Sequence, residues 1–454
     1  MPARHTHRPS RWRAAATLLA GATALGGASC IHENYGRTIH LGSDPTQCND
    51  AMDDDGDLLV DAADPGCQGT SDDGENERTE IAPYTPAHAA TVLFVIDDSG
   101  SMCEEQTNLR TNFESFITAF LGAAPGVPYH LGVVTTDTSS VSVAGRLRNS
   151  PQTVVASPLC PTPPPPLDCT TGLPSPLPKW IDPTTPEPAR TFGCLASVGI
   201  MGFGGETALG AADMAFSPTL VNDPTANQGF YIPESLVAIV FLGDEDDCSV
   251  CFGTACAPLP GLQFNLDCSI NRVTELTAVS YIVAEVTGSS NLAGGTFARD
   301  GVYVSAIIGL DPDGNSDGPI MADPGGADSL VPICSIAGQG GAAPAPRIDS
   351  FTRSFALHEE HSICDTDYGP ALGALGGALA TMLNSGCLGA PPCDGISTAD
   401  VVVQIGGAPP LGAGDFDIVP DAGCAGGWRV ELAVPADAGT TLSVTYPEGA
   451  GPCP

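Results

Sequence analysis

Asp97, Ser99 and Ser101 place one carboxylate and two hydroxyls at alternate positions of a single short segment. They follow Val92–Ile96, an apolar run that predicts a strand buried on both faces. Ligands of open α/β sheets bind beyond the carboxyl ends of such strands. A hard divalent cation such as Mg²⁺ takes oxygen donors and often keeps positions for water or a partner's oxygen. The loop therefore reads as half of a metal site whose other half lies elsewhere in the chain.

A second oxygen-rich segment occupies residues 47–80, with 12 Asp or Glu and one Arg. Asp53, Asp55, Asp57 and Asp61, with Gly56 among them, could turn several oxygens onto one Ca²⁺. The segment resembles the aspartate-rich repeats of thrombospondin type 3, and more loosely an EF-hand loop. Position 12 counted from Asp53 is Asp64, not the EF-hand's Glu. A solvated acidic linker is the plainer alternative. His358-Glu-Glu-His361 lacks a third metal ligand and reads as an exposed polar turn. No Gly-x-Ser-x-Gly elbow or arguable Ser-His-Asp set occurs, so the chain reads as a non-enzyme.

These loops need elements to hold them. Strands are expected at Tyr129–Thr135, Leu236–Leu242 and Val302–Ile308. Helical spacing marks Glu104–Leu121, Thr207–Phe216, Val273–Val286 and Tyr368–Leu383. Such alternation implies an α/β fold with a largely parallel sheet covered on both sides. Residues 150–192 are Pro-rich and read as an inserted surface loop, and 311–345 as a loop rich in Gly, Pro and Asp. Val401–Ile405, Trp428–Val434 and Thr441–Tyr446 suggest a small C-terminal β module at 389–454.

The formal charge is −37 and Lys179 is the lone lysine, which excludes nucleic acid as a natural partner. Residues 1–29 form a signal segment: Arg4, Arg8, Arg11 and Arg13 precede the apolar stretch Ala14–Leu25. Gly27-Ala28-Ser29-Cys30 then resembles a bacterial lipoprotein signal, which implies acylation of Cys30 and a membrane anchor, with 30–46 as a tether. Ordinary signal-peptidase cleavage near Ala28 is the alternative. Of 17 cysteines, 16 remain after Cys30, consistent with disulfides in an exported chain. Sequence proximity favours Cys48–Cys67, Cys160–Cys169 and Cys387–Cys393, while pairing among Cys248, Cys251, Cys256 and Cys268 is not readable.

Three segments together resemble the von Willebrand factor type A (vWA) domain and its metal-ion-dependent adhesion site (MIDAS). They are Phe94-Val-Ile-Asp-Asp-Ser-Gly-Ser-Met102, His130-Leu-Gly-Val-Val-Thr-Thr-Asp137 and Val240-Phe-Leu-Gly-Asp-Glu-Asp-Asp-Cys-Ser249. The resemblance implies a Rossmann-like domain over 86–388, and Asp97, Ser99, Ser101 and Asp244 as ligands of Mg²⁺ or Mn²⁺. A further loop should give a Thr. Thr207 has that chemistry, but aligning Gly204 and Gly205 puts Glu206 in its place, and both stay open. The resemblance implies adhesion at the bacterial cell envelope to a protein or surface ligand that offers an acidic residue. A structural envelope protein, in which metal and disulfides only stabilise the fold, is the alternative. Asp98, Glu245, Asp246 and Asp247 read as solvated loop residues or helix caps.

Overall fold

The computed structural model describes residues 77–83 and 89–447, apart from internal stretches of which the longest is 288–300. The signal segment, Cys30, the tether and Asp53, Asp55, Asp57 and Asp61, with Cys48 and Cys67, lie outside the described residues.

The elements run in order as β1 (Glu77–Pro83), β2 (Ala90–Ile96), α1 (Cys103–Ala123), β3 (Tyr129–Thr135), β4 (Trp180–Ile181), α2 (Pro188–Leu195), α3 (Ala208–Ala215) and α4 (Pro218–Val221). There follow β5 (Leu236–Leu242), β6 (Ser249–Phe252), β7 (Ala255–Pro258), α5 (Val279–Thr287), β8 (Val302–Ile308), β9 (Cys334–Ile336), β10 (Gly340–Ala342) and α6 (Pro346–Thr352). The last are β11 (Leu357–Ser362), α7 (Gly369–Leu383), β12 (Val402–Ile405), β13 (Phe416–Pro420), β14 (Trp428–Leu432) and β15 (Thr441–Pro447).

The central sheet has the order β11-β8-β5-β2-β3-β4. Its pairs are parallel except for the short edge strand β4 against β3. Side chains alternate across a strand, so β2 serves two cores. Val92, Phe94 and Ile96 face Phe113, Phe116, Phe192 and Leu372. Leu93 and Val95 face Leu209, Ile282 and Phe351. Phe94 is the hub of the first core, with ring centroids of Phe113, Phe116 and Phe192 at 5.7, 5.7 and 4.7 Å in edge-on arrangement. Burial of each such ring contributes roughly 2–3 kcal/mol. Helix α7 packs on α1 through Gly376, where a Cβ would stand 2.6 Å from the Phe116 carbonyl oxygen.

The stretch expected as a surface loop over 150–192 is only partly one, since 166–172 are largely exposed and irregular but the residues after them are built into the fold. They supply β4 and α2, and Leu173, Leu177, Ile181 and Phe192 are buried in the first core. Pro188 sits in the first turn of α2, where its missing N–H costs nothing. The helix expected over Val273–Val286 is broken. A 3₁₀ turn covers Val273–Glu275 before α5 begins at Val279. Thr277 causes the break: its N–H donates to the Ser249 carbonyl at 3.1 Å, and its hydroxyl accepts the Cys251 N–H at 2.7 Å. The loop expected over 311–345 contains the β9–β10 hairpin.

His358-Glu-Glu-His361 is not a turn but the body of β11, paired in parallel with β8 at the sheet edge. Two expected disulfides are also replaced. Cys160 pairs with Cys103 and Cys169 with Cys194, because α1 and α2 bring those cysteines together. Cys387 pairs with Cys424 rather than Cys393, which is itself disulfide-bonded. Cys248–Cys268, Cys251–Cys256 and Cys334–Cys364 are further bridges.

Beyond α7, Val403, Phe416, Val430, Leu442, Val444 and Tyr446 belong to a separate core. Its three-stranded sheet has the order β1-β15-β12, so Glu77–Glu80, the end of the acidic segment, pair with strand β15.

Candidate functional site

Register brings three loops to one rim. Ile96 ends β2 opposite Thr135 of β3 and Leu242 of β5. The next residues continue the ladder for one step: the Asp97 N–H donates to the Leu242 carbonyl at 2.9 Å and the Thr136 N–H to the Ile96 carbonyl at 3.2 Å. Asp97, Thr136 and Gly243 thus leave the sheet side by side, with Asp244 one residue further on. Gly243 fits this crossing closely, since a Cβ there would lie 3.2 Å from Asp97 Oδ2.

The first loop is held from several directions. The Ser99 N–H donates to Asp97 Oδ1 at 2.7 Å. Gln106 donates from Nε2 to the carbonyls of Asp97 at 2.9 Å and Gly199 at 2.6 Å. The hydroxyls of Ser99 and Ser101 are 2.9 Å apart. Ser101 then donates to Asp244 Oδ1 at 3.1 Å. Asp97, Ser99 and Asp244 are buried, and Ser101 is exposed. One end of the cluster therefore faces solvent.

Burial makes this rim electrostatically costly. The Asp97 carboxyl is pushed well above the usual range by burial, then by the charges of Asp244 and Glu245. Glu206 is pushed up by burial, then by Asp97 and Glu245. Burial raises Asp244 to about 6 against the Ser101 hydrogen bond, and a proton on Asp97 would bridge to Asp244. Asp98, expected as a solvated loop residue or cap, and Glu105 in α1 are each raised to about 7, mainly by burial. With the acids ionised, Asp97 Oδ2 and Glu206 Oε1 are buried without a hydrogen-bond donor among the described residues.

Glu206 and Thr207 point their chemistry in different directions. The Thr136 hydroxyl donates to Glu206 Oε2, which leaves Oε1 toward like charge. The Thr207 hydroxyl instead donates to the Thr136 carbonyl and lies 2.8 Å from the Thr138 hydroxyl. Thr207 also provides the residue before α3. The side-chain donors at this rim are thus all oxygen: the Ser99 and Ser101 hydroxyls and the carboxylates of Asp97 and Asp244, with the Glu206 carboxylate held beside them by Thr136, although the oxygens of the three acids are not all within 4.8 Å of one another. That set suits hard cations such as Mg²⁺ or Mn²⁺ rather than metals that prefer sulfur or imidazole. Sequence reasoning missed Thr136, Thr138 and Gln106. The Thr-Thr pair at the end of the β3 run was the available signal.

The acidic run after β5 is not solvated. Both oxygens of Asp246 accept the Arg347 N–H, at 3.1 and 3.2 Å, and Oδ1 accepts the Ile348 N–H at 3.2 Å, which caps α6. Asp247 Oδ1 accepts the Leu209 N–H at 3.0 Å in the first turn of α3 and the Ser249 hydroxyl at 2.6 Å. Its Oδ2 accepts the Arg347 guanidinium at 3.0 and 3.2 Å. One carboxylate therefore ties the loop carrying Asp244 to the helix that follows Glu206.

Two other clusters offer less. His361 Nε2 is 3.3 Å from Glu359, without a third ligand on β11 among the described residues. Asp213, Cys251 and Cys256 converge, but the two sulfurs are joined in a disulfide and unavailable to a metal.

No family model matches the sequence, and no curated protein does. Among solved structures, the chain is similar to the pilus adhesin SpaC from Lactobacillus rhamnosus GG in its open conformation, at 10% identity and a TM-score of 0.32. That match covers 82% of this chain and 40% of the adhesin, so the chain spans well under half of its length. A von Willebrand factor type A protein from Catenulispora acidiphila matches at 11% identity and a TM-score of 0.30, covering 83% of this chain and 66% of that one. A conserved hypothetical protein, BatB, from Bacteroides thetaiotaomicron matches at 10% identity and a TM-score of 0.28, covering 65% of this chain and 98% of that one. Likenesses this remote carry no argument about function. The α/β architecture rests on the six-stranded sheet and its covering helices, and it is the architecture that the resemblance to vWA domains implies.

Proposed function

We propose that this chain is an exported binding protein that engages a partner through a divalent cation, Mg²⁺ or Mn²⁺, held by Asp97, Ser99, Ser101, Asp244 and Glu206. One observation carries this reading: Asp97 Oδ2 and Glu206 Oε1 are buried, without donors, among like charges. Uncompensated buried charge costs several kcal/mol per group, and a cation between the carboxylates is the natural compensation. Of Glu206 and Thr207, both open by sequence, Glu206 is the ligand in this reading, because the Thr207 hydroxyl is spent on Thr136 and Thr138.

When bound, the cation would supply a Lewis-acidic contact for an oxygen of the partner. The residues of the chain do the remaining work. Gln106 and the Ser99 N–H hold Asp97 in place, and Asp247 holds the Asp244 loop against α3. Ser101, the exposed member of the set, gives a partner its approach.

Export is supported by the disulfides among the described residues. A lipid anchor at Cys30 and Ca²⁺ on Asp53, Asp55, Asp57 and Asp61 complete the proposal for a cell-envelope adhesion protein. A second reading, in which the cation only braces the fold, is favoured by the depth of Asp97 and Glu206, 0% and 1% exposed. Calorimetric titration with Mn²⁺ tests the metal site. The chain should take up one more equivalent than its Asp97→Ala variant while both give the same circular dichroism spectrum. Equal uptake by the two would refute the site. Cell-surface retention of the chain that EDTA abolishes would decide against the bracing role.

A further inference from the structure

The partner's chemistry can be narrowed by counting charge at this site, an inference that rests on the metal-binding reading above. Asp97, Glu206 and Asp244 set three carboxylates around one rim of the sheet, all at least nine-tenths buried, with oxygens that are not all within 4.8 Å of one another. A metal-bound carboxylate is ionised, so a divalent cation leaves the group with about one negative charge. Glu245 lies close enough to act on both Asp97 and Glu206, and Asp98 acts on Glu206, so the surroundings add negative charge. The chain as a whole carries −37. Arg347 is already bound to Asp247, and Arg148 acts on Asp98, so the excess at the rim rests on Asp97, Glu206, Asp244 and Glu245.

We infer that the open position of this site takes an uncharged oxygen donor, such as a hydroxyl of a saccharide or a backbone carbonyl, and not a carboxylate. Glu206 is the residue that decides it. With a hydroxyl in its place, two carboxylates would just balance a divalent cation, and a third from outside would find a far weaker repulsive field. With Glu206 present, the third carboxylate is built in, at 1% exposure and held by Thr136. The acidic partner expected from the resemblance would then be a fourth.

Linkage gives the test, because a ligand that completes the coordination shell must tighten the metal by the factor by which the metal tightens it. The Mn²⁺ affinity of the site is measured by calorimetry, as the difference between the full chain and its Asp97→Ala variant. Measurements are made with and without a blocked Gly-Asp-Gly peptide at fixed ionic strength. In the natural chain the peptide should change the Mn²⁺ affinity by less than twofold. In the Glu206→Thr variant Mn²⁺ should bind at least tenfold more weakly, and the peptide should recover several-fold of that loss. Glu206→Gln, which keeps the size, should weaken Mn²⁺ similarly and guards against a packing effect of Thr. Several-fold tightening by the peptide in the natural chain would overturn the inference while leaving the metal site intact. Absence of any Asp97-dependent Mn²⁺ binding would overturn both.

Discussion

Ser101 donates its hydroxyl hydrogen to Asp244 Oδ1 at 3.1 Å, and so links loops that leave neighbouring strands β2 and β5. The bond lies at the exposed end of the carboxylate cluster. A hydroxyl–carboxylate hydrogen bond at this exposed end contributes about 1.5–3 kcal/mol to stability at most, whereas a lost metal ligand affects cation binding directly. Ser101→Ala should lower Mn²⁺ affinity about tenfold by calorimetry while moving the metal-free melting temperature by no more than about 3 °C. A large drop in melting temperature with unchanged Mn²⁺ affinity would show that Ser101 is a fold residue.

Arg347 holds a carboxylate that has no route to solvent, since the Asp247 side chain is 0% exposed. Removing one partner of a buried pair leaves an uncompensated charge, at a cost of about 3–5 kcal/mol. Arg347→Ala should therefore be strongly destabilised in urea unfolding. Arg347→Lys should recover only part of the loss, because an ammonium cannot reproduce the paired donation from Nε and Nη2. Both variants should weaken Mn²⁺ binding, because Asp247 is what ties the Asp244 loop to α3.

Asp213 on α3 sits away from the carboxylate cluster and is 2% exposed. Burial, then the charge of Glu285, raises its carboxyl from 3.8 to about 7. The folded state thus holds this proton more tightly than the unfolded state. The associated stability is complete below pH 3.8 and is lost as pH rises through about 7. Asp213→Asn should remove that loss. The variant should melt higher than the natural chain at pH 8 by several degrees and match it near pH 4, by differential scanning calorimetry. The same ordering at both pH values would contradict this.

The four buried runs of the central sheet were legible because strands covered on both faces need continuous apolar sequence. Tyr129–Thr135, Leu236–Leu242 and Val302–Ile308 have the bounds that their sequence suggested. The edges were not legible. His358-Glu-Glu-His361 is polar because β11 pairs on one side only, which to a sequence reader resembles a turn. Trp180–Ile181 and Pro188–Leu195 were hidden inside Pro-rich chain, where composition outweighed the buried Ile181 and Phe192. At the site, Asp97 and Asp244 could be found from the strands that precede them. Where the Glu206 and Thr207 side chains point could not, because it depends on Thr136 and Thr138 from another strand end. Cysteine pairing failed for the same reason: Cys103 and Cys160 meet through tertiary packing across 57 residues of sequence.

That bridge anchors the start of α1, two residues after Ser101. Cross-links closing loops of this length contribute about 2–4 kcal/mol. The Cys103→Ser, Cys160→Ser double variant should be destabilised by that order in guanidinium unfolding. A change below about 0.5 kcal/mol would mean that the reduced loop stays closed on its own.

Strand β1 stands between everything that precedes residue 77 and the central sheet, and it is held by seven rungs to β15. Tension entering from the N-terminal side along the strand reaches this ladder before it reaches β2. Rungs pulled along their strand axis share the load together instead of tearing one after another. Were the chain held from its N-terminal side, this ladder would have to shear before the full load reached the loop of Asp97.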